Sequence, residues 1–171
     1  MKYYTVIDTN VLVSSMLTSN PDSSIAKIIN YVRQDSIIPM FDDTILEEYQ
    51  AVLSRDRFHF NIERINELLT LIKTKGIHCG RIAITDVFPD PDDIVFYEVA
   101  MSRDDAYLVT GNLRHFPKNG RVVSPADMVY IIEYGEKGSG FLSEPEGPYY
   151  LPISLEEINS IIREVRITLS S

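Results

Sequence analysis

The sequence predicts an α/β protein with a three-layer α/β/α arrangement around a mostly parallel sheet of roughly five strands. The first indication is the apolar, β-favouring segment Tyr3–Ile7, which ends at Asp8. A continuous apolar run of this kind is typical of a strand that is buried on both faces of a parallel sheet. The second indication is the alternation of strand-like and helix-like segments along the chain, which favours right-handed crossover connections.

Further segments are short, apolar and bounded by turn residues, and we predict strands at residues 36–41, 106–110 and 122–123 and either a strand or an extended connector at 81–84. Pro39 has no backbone N–H to donate, which argues against a position deep in the middle of the sheet. The strands that precede Asp8 and Asn112 are expected to end at the same edge of the sheet, where ligands of open α/β sheets gather.

Each predicted helix begins at a residue that suits a helix N-terminus and continues with apolar residues at helical spacing. The starts are residues 21–24, Thr44 with Glu47, Asn61, residues 90–91, Ser124 with Asp127, and Ser154 with Glu157. Gly76 is expected to follow the end of the helix that begins at Asn61.

The composition divides the chain into a folded domain at 1–134, a Gly/Pro-rich linker or draped loop at 135–153, and a C-terminal amphipathic helix at 154–171. Half of the eight glycines lie in the middle segment, which offers little from which to build a core. The apolar stripe of the terminal helix needs a surface to cover, and that surface belongs to this domain, to a second copy or to another protein.

The length of 171 residues fits one domain, and the hydrophobic share of 44% is ordinary for a globular protein. No signal segment and no apolar run of ~20 residues is visible, so we predict a cytoplasmic protein without a membrane span, in which the single Cys79 stays reduced. The net charge of −9 leaves two interpretations open. Either the partner is not a polyanion, or the acids include a cluster that metal ions neutralise, with cations at its rim.

Polar side chains gather where the predicted elements end: Asp8 with Asn10, Glu47 with Glu48, Asp90 with Asp92 and Asp93, and Asn112 with Arg114 and His115. Oxygen ligands of this kind suit Mg²⁺ or Mn²⁺. Carboxylates within ~4 Å of each other repel by a few kcal/mol per pair, and a bound cation relieves that repulsion. Each residue alone has an ordinary explanation, such as helix capping or a packed loop, and only their joint placement favours a site.

Five strings occur in a characteristic order: VIDTNV at 6–11, ILEEYQAVL at 45–53, DPDDIVF at 90–96, YLVTGN at 107–112 and VSPAD at 123–127. With these strings the chain resembles, over about residues 3–132, the PIN-domain family of metal-dependent ribonucleases, which includes many toxins of bacterial toxin–antitoxin pairs.

The resemblance implies that the catalytic, metal-binding acids are Asp8, Glu48 and Asp93, with Asp92 as a near alternative to Asp93. The fourth implied catalytic residue is Asn112, at a position where the family often has an aspartate and where an amide oxygen can still hydrogen-bond a water or ligate weakly. An amide brings no charge to the site, so we expect one well-bound Mg²⁺ or Mn²⁺ at most.

The implied supporting residues are Asn10, which hydrogen-bonds within the site, and Thr9 or Thr110, which orients a water. The implied activity is hydrolysis of phosphodiesters in single-stranded RNA, leaving a 5′-phosphate. Residues that follow the acid-bearing elements either form a cationic rim for the RNA or are a scattered solvated surface: Arg55, Arg57, Arg114, His115, Lys118 and Arg121. The implied partners are an antitoxin protein, which inserts an arginine among the carboxylates, and a second copy in a homodimer.

Two other functions compete with the ribonuclease. A non-catalytic module would keep the acids as a weak metal site and bind a partner through the terminal helix, and both Asn112 and the net acidity favour it. A phosphatase for small phosphate esters would need a second aspartate two residues after the first, where this chain has Asn10. The phosphatase is therefore the least supported of the three.

Overall fold

The computed structural model describes residues 1–135 and 151–171. The strands are β1 Tyr3–Ile7, β2 Ile37–Phe41, β3 Ile77–His78, β4 Tyr107–Val109 and β5 Val122–Val123. The helices are α1 Thr9–Leu17, α2 Ser24–Arg33, α3 Asp43–Leu53, α4 Ile62–Lys75, α5 Ile94–Ala100, α6 Pro125–Tyr134 and α7 Leu155–Ser170. Single 3-10 turns lie at Asp56–Phe58, Pro91–Asp93 and Leu113–His115. The predicted three-layer α/β fold is confirmed.

The sheet has five parallel strands in the order β3-β2-β1-β4-β5. In the central strand β1, Thr5 pairs with Pro39 of β2 on one side and with Tyr107 of β4 on the other. The C-terminal ends of β1 and β4 therefore lie side by side, and the backbone N–H of Asp8 donates to the carbonyl oxygen of Val109 at 2.9 Å. The predicted common edge for these two strands is confirmed.

Helix α1, directly after Asp8, was not predicted. Val11, Leu12 and Val13 are all at most 1% exposed, so both sides of the helix are covered. A helix without a polar face has no helical periodicity in its sequence, and its apolar run is equally compatible with a strand.

Strand β2 lies between β1 and β3, so the expectation that Pro39 keeps it away from the middle of the sheet was wrong. The reason is the shortness of β3, which pairs with β2 only at Met40 and Phe41. Pro39 precedes that ladder and has a neighbouring strand on one side only, so its missing N–H costs no ladder hydrogen bond toward β3.

The predicted start of α3 at Thr44 also needs correction. Asp42 is the N-cap residue, and its Oδ1 accepts a hydrogen bond from the backbone N–H of Ile45 at 2.9 Å. The other carboxylate oxygen of Asp42 receives the guanidinium of Arg81 at 2.6 Å. The caps predicted at Asn61 and Ser124 are confirmed, since each side chain accepts a hydrogen bond from the first turn of its helix.

Gly76 follows α4, as predicted, but with an extended backbone of φ −98° rather than a left-handed one. Packing explains the glycine here. A Cβ atom at this position would lie 2.5 Å from the carbonyl oxygen of Pro39 and 2.6 Å from that of Ile72, both of them backbone atoms. The glycine allows the end of α4 to approach β2 closely.

Helix α7 packs against α1 and α3. Its buried side chains are Ile158, Ile161, Ile162, Val165 and Arg166. The Ser154 side chain caps it by accepting from the backbone N–H of Glu157, as predicted. Most of the linker predicted at 135–153 lies outside the described residues, so the predicted division into domains stays a prediction. No described helix is both long and apolar enough to cross a membrane.

Candidate active site

Asp8 lies at the carboxyl end of the central strand and is 3% exposed. Its Oδ2 accepts hydrogen bonds from the Thr110 hydroxyl at 2.7 Å and from the Asn10 side-chain amide at 3.1 Å. Thr110 follows the adjacent strand β4, and Asn10 lies in the first turn of α1. Two neighbouring elements therefore fix this carboxylate, and the supporting role predicted for Asn10 stays a prediction.

Glu48 reaches the same region from α3 and is 5% exposed. The hydroxyl of Thr9 donates a hydrogen bond to its Oε2. The next residue, Tyr49, is fully buried and donates its hydroxyl to the carbonyl oxygen of Ile7, the residue before Asp8. These two bonds tie α3 directly to the end of β1.

Asp93 lies at the end of the 3-10 turn that precedes α5 and is 4% exposed. Its Oδ2 lies 3.3 Å from Nδ1 of His115 but has no hydrogen-bond partner among the described residues. Asp92, the near alternative, is exposed, while Asp90 caps the turn through the backbone N–H of Asp92 at 3.0 Å. The geometry thus brings Asp93, rather than Asp92, toward the other acids.

The side chain at the centre of these acids is Arg166 of α7, which is 7% exposed. Its Nη1 donates to Asp93 at 2.7 Å and to Asp90 at 3.0 Å. Its Nε donates to Oε1 of Glu48 at 2.5 Å, and Nη2 lies 3.4 Å from Oε2. One guanidinium therefore joins three acids from two separate segments of the chain.

The electrostatics of the cluster follow from burial. Burial raises the pKa of Asp8 to about 7, the charge of Asp93 adds to the rise, and the Thr110 hydrogen bond and Arg166 oppose it. Burial also raises the pKa of Asp93, against the opposing charge of Arg166. Burial alone would lower the pKa of Arg166, but the hydrogen bond and charge of Glu48 outweigh it, so the guanidinium is held firmly charged.

Arg166 borders two cavities. One, of about 20 Å³, is also lined by Asp8, Asp93 and Asn112. The other, of about 280 Å³, is lined by Glu48 and Phe96 among others. A larger cavity of about 450 Å³ lies against α2 and α4 and includes none of the predicted site residues.

Asn112 pairs with a residue of α7 rather than with an acid. Its amide nitrogen donates to the side-chain oxygen of Asn159 at 2.8 Å, and the amide nitrogen of Asn159 donates back at 3.0 Å. Gly111, beside it, donates its backbone N–H to the side-chain oxygen of Asn10 at 3.0 Å. Asn112 thus belongs to the wall of the small cavity.

The predicted cationic residues are dispersed. Arg57 pairs with Glu157 of α7 at 2.8 Å, and His115 faces Asp93. Arg114 and Lys118 are exposed, and Arg55 is half-buried. Arg121 donates a hydrogen bond to the carbonyl oxygen of Arg103, so its guanidinium stabilises a loop and is not part of a cationic rim around the site. Their proposed contact with RNA stays a prediction.

The donor set suits a hard divalent cation, because three buried carboxylates converge and Oδ2 of Asp93 is left without a hydrogen bond. Within residues 1–135 and 151–171, however, no group of three or more acidic, His or Cys side chains is arranged to hold an ion as it stands. The Arg166 guanidinium lies among the oxygens instead. The residues fit a cation chemically, and an arginine supplies the charge in this structure.

Arg166 and Asn159 were not recognised from the sequence. A signal for Arg166 was present, since it lies four residues after Ile162 and eight after Ile158 and so falls on the apolar face of α7. A charged residue on a buried helix face is uncommon unless it is paired. No comparable signal distinguishes Asn159.

This parallel sheet, with acids gathered beyond the carboxyl ends of β1 and β4, defines an α/β protein with a nuclease-like arrangement. A family model described as a PIN domain matches residues 4–114, which is more than half of the chain. The chain therefore belongs to the PIN-domain family, as the resemblance implied. PIN domains are generally nucleases. Comparisons with curated proteins and with solved structures gave no match.

Proposed function

We propose that this protein is a ribonuclease that hydrolyses phosphodiesters of single-stranded RNA with the help of Mg²⁺ or Mn²⁺. The observation that supports the proposal best is the convergence of Asp8, Glu48 and Asp93, which are 40 to 85 residues apart in sequence, around one positive group. Burying a carboxylate costs free energy unless its charge is paired, so three buried carboxylates are not expected in a core with a structural role alone.

The residues that would hold the cation are Asp8, Glu48 and Asp93. A divalent ion bound there would stabilise negative charge on the phosphate and lower the pKa of a nearby water. Thr110 and Asn10 orient Asp8, and Thr9 orients Glu48, by the hydrogen bonds described above. Such bonds keep the carboxylates at fixed positions, which is what electrostatic stabilisation of a transition state requires.

The RNA would contact cations near the site, although the protein carries a net charge of −9. Arg57, Arg114 and Lys118 are the exposed cations among the residues predicted for this contact. Such cations, although dispersed, can each contact a phosphate of the RNA backbone even on an acidic protein, and the attraction weakens with salt.

Cleavage of an unstructured RNA by the wild type, compared with Asp8→Asn, tests the proposal. The wild type should cleave in Mn²⁺ or Mg²⁺, should leave 5′-phosphate ends and should stop cleaving in a chelator. Asp8→Asn should lower the rate by at least about 100-fold, the scale expected when a group essential to the chemistry is lost. Asp86→Asn, a matched change at an exposed carboxylate, should cleave like the wild type. Equal rates for the wild type and Asp8→Asn, together with equal rates for Arg166→Met with and without Asp8→Asn, would refute the assignment.

We further propose that the protein acts in the cytoplasm as the toxin of a toxin–antitoxin pair and forms a homodimer. An antitoxin encoded beside it should co-purify when both are expressed together, and its absence from the purified complex would count against the pairing. Light scattering at several concentrations should give twice the mass of the 19.5 kDa chain. A constant monomer mass would overturn the dimer.

A second candidate is a non-catalytic binding module. One observation favours it: the charge of the acids is already balanced by Arg166, and Asn112 is paired with Asn159. A protein in this class would show no RNA cleavage with any divalent ion, whether or not Arg166 is present. The same cleavage assay on the Arg166→Met variant therefore separates the two functions.

A further inference from the structure

Helix α7 contacts the candidate site at three separate places. Arg166 joins Glu48 and Asp93, Asn159 forms the reciprocal amide pair with Asn112, and Glu157 pairs with Arg57. Each contact engages a residue that the sequence had assigned to metal binding, catalysis or RNA binding. Contacts that served only to dock a helix would not need to select these residues.

The contact at Arg166 uses the oxygen atoms that a cation would need. Its Nη1 lies 2.7 Å from Oδ1 of Asp93, and its Nε lies 2.5 Å from Oε1 of Glu48. A guanidinium and a divalent ion cannot share these oxygens at such distances, because both positive charges would be buried in the same space. The remaining cavity beside Asp8 is about 20 Å³, room for about one water and not for a phosphate group.

Arg166 lies on the buried, apolar face of α7, and charge balance alone does not explain this position. It follows Ile158, Ile162 and Val165 on the buried face, where an apolar residue would continue the stripe. Arg163, one turn earlier on the exposed face, shows that a charge on this helix is readily accommodated in solvent. Burying the charge at 166 instead is favourable only because the acids are there to receive it.

We propose that α7 is an autoinhibitory helix: docked as it is here, it holds Arg166 in the place of the divalent cation and closes the site to RNA until the helix moves away. The closure of the site to RNA rests on the proposed ribonuclease function. The exclusion of the divalent cation by Arg166 does not rest on that function, since it concerns metal binding alone. The full chain contains both the site and its inhibitor, so no second protein is needed for the resting state.

Mn²⁺ binding measured without RNA tests the exclusion. Free Mn²⁺ is quantified by electron paramagnetic resonance during titration of the wild type, Arg166→Met and the matched control Arg33→Met, an exposed arginine of α2 remote from the site. Arg166→Met should bind Mn²⁺ at least about tenfold more tightly than the wild type, because the competing charge is gone, while Arg33→Met should match the wild type. Equal affinities for Arg166→Met and the wild type, including no detectable binding by either, would overturn the proposal.

A second variant covers the case in which Arg166→Met fails to fold. Ile158→Ser leaves every charge in place and weakens the docking of α7 through a side chain that is fully buried. Hydrogen exchange should be faster in α7 than in the wild type, with α2 and α4 still protected, and Mn²⁺ affinity should rise in parallel. Faster exchange in α7 with wild-type Mn²⁺ affinity would show that the docked helix does not exclude the cation.

RNA cleavage by the same variants separates this proposal from the proposed function. Tighter Mn²⁺ binding together with faster cleavage supports both. Tighter binding without cleavage by any variant supports the exclusion of the cation by α7 and refutes the ribonuclease. Cleavage by the wild type at the same rate as by Arg166→Met supports the ribonuclease and refutes autoinhibition.

Discussion

Replacing Asp8 with Asn should change the dependence of stability on pH. Burial, with the charge of Asp93, raises the pKa of the Asp8 carboxyl to about 7, against about 3.9 in an unfolded chain. The folded protein therefore holds this proton more tightly than the unfolded chain does. The stability that the protonated group contributes is fully present below about pH 4 and is lost as the pH rises through about 7.

The size of the effect follows from the shift in pKa. The pKa of Asp8 differs by roughly three between the folded and unfolded states, and at about 1.36 kcal/mol for each pKa unit this changes the free energy of unfolding by about 4 kcal/mol at most. Asn cannot ionise, and its side-chain oxygen can still accept hydrogen bonds from Thr110 and Asn10. The free energy of unfolding of Asp8→Asn, relative to the wild type, should therefore rise by up to about 4 kcal/mol between about pH 4 and pH 8.

Urea denaturation followed by circular dichroism, in the presence of a chelator and at steps of about one pH unit, measures this difference. Asp86→Asn, whose carboxylate is exposed, should run parallel to the wild type. Parallel curves for the wild type and Asp8→Asn would refute the account of a carboxyl that is costly to ionise.

Three further substitutions test the structure. In urea denaturation, Arg166→Met should lower the free energy of unfolding by about 3–5 kcal/mol, because it leaves buried carboxylates unpaired. The exposed Arg163→Met should change the free energy of unfolding by less than about 0.5 kcal/mol. Similar losses in both variants would contradict this. Gly76→Ala should lower Tm by about 2–4 °C for each kcal/mol lost, since its Cβ would meet backbone oxygens at 2.5 and 2.6 Å, and an unchanged Tm in scanning calorimetry would show that the contact relaxes. Asp42→Ala should cost about 1–2 kcal/mol as the true N-cap of α3, and Thr44→Ala clearly less; the reverse order in urea would restore the sequence-based assignment.

The parts of the fold that could be predicted from the sequence are those with a local chemical signal. The caps at Asn61 and Ser124 are side chains that satisfy backbone N–H groups a few residues away. The strand before Asp8 is a β-favouring run in which Thr5 is the one residue without an aromatic or aliphatic side chain, as expected for a strand that is covered on both faces. Helix α1 was missed for the same reason that β1 was found, since complete burial removes the periodicity that tells a helix from a strand.

The proximity of Asp8 to Asn112 could be anticipated because the carboxyl ends of neighbouring parallel strands meet at one edge. The choice of Glu48 and Asp93 as their companions followed from the resemblance to the PIN-domain family. The position of Pro39 could not, because it depends on where the two-residue strand β3 begins to pair. Arg166 could not be connected to Glu48 either, since the two are 118 residues apart and no local pattern joins them. The prediction of an arginine among the carboxylates concerned a separate partner, whereas the structure provides one from the same chain.

The three carboxylates are not held equally firmly. Asp8 and Glu48 each accept a hydrogen bond from a threonine hydroxyl next to β1 or β4, so these two oxygens would keep their places after α7 had gone. Among the described residues, the Asp93 carboxylate forms ion pairs with Arg166 and His115 and accepts no hydrogen bond from a threonine, so departure of the helix would give it more freedom to rotate. Ions of different radius would then be accommodated by the movement of this one side chain, so discrimination between Mg²⁺ and Mn²⁺ should depend on the freedom of Asp93.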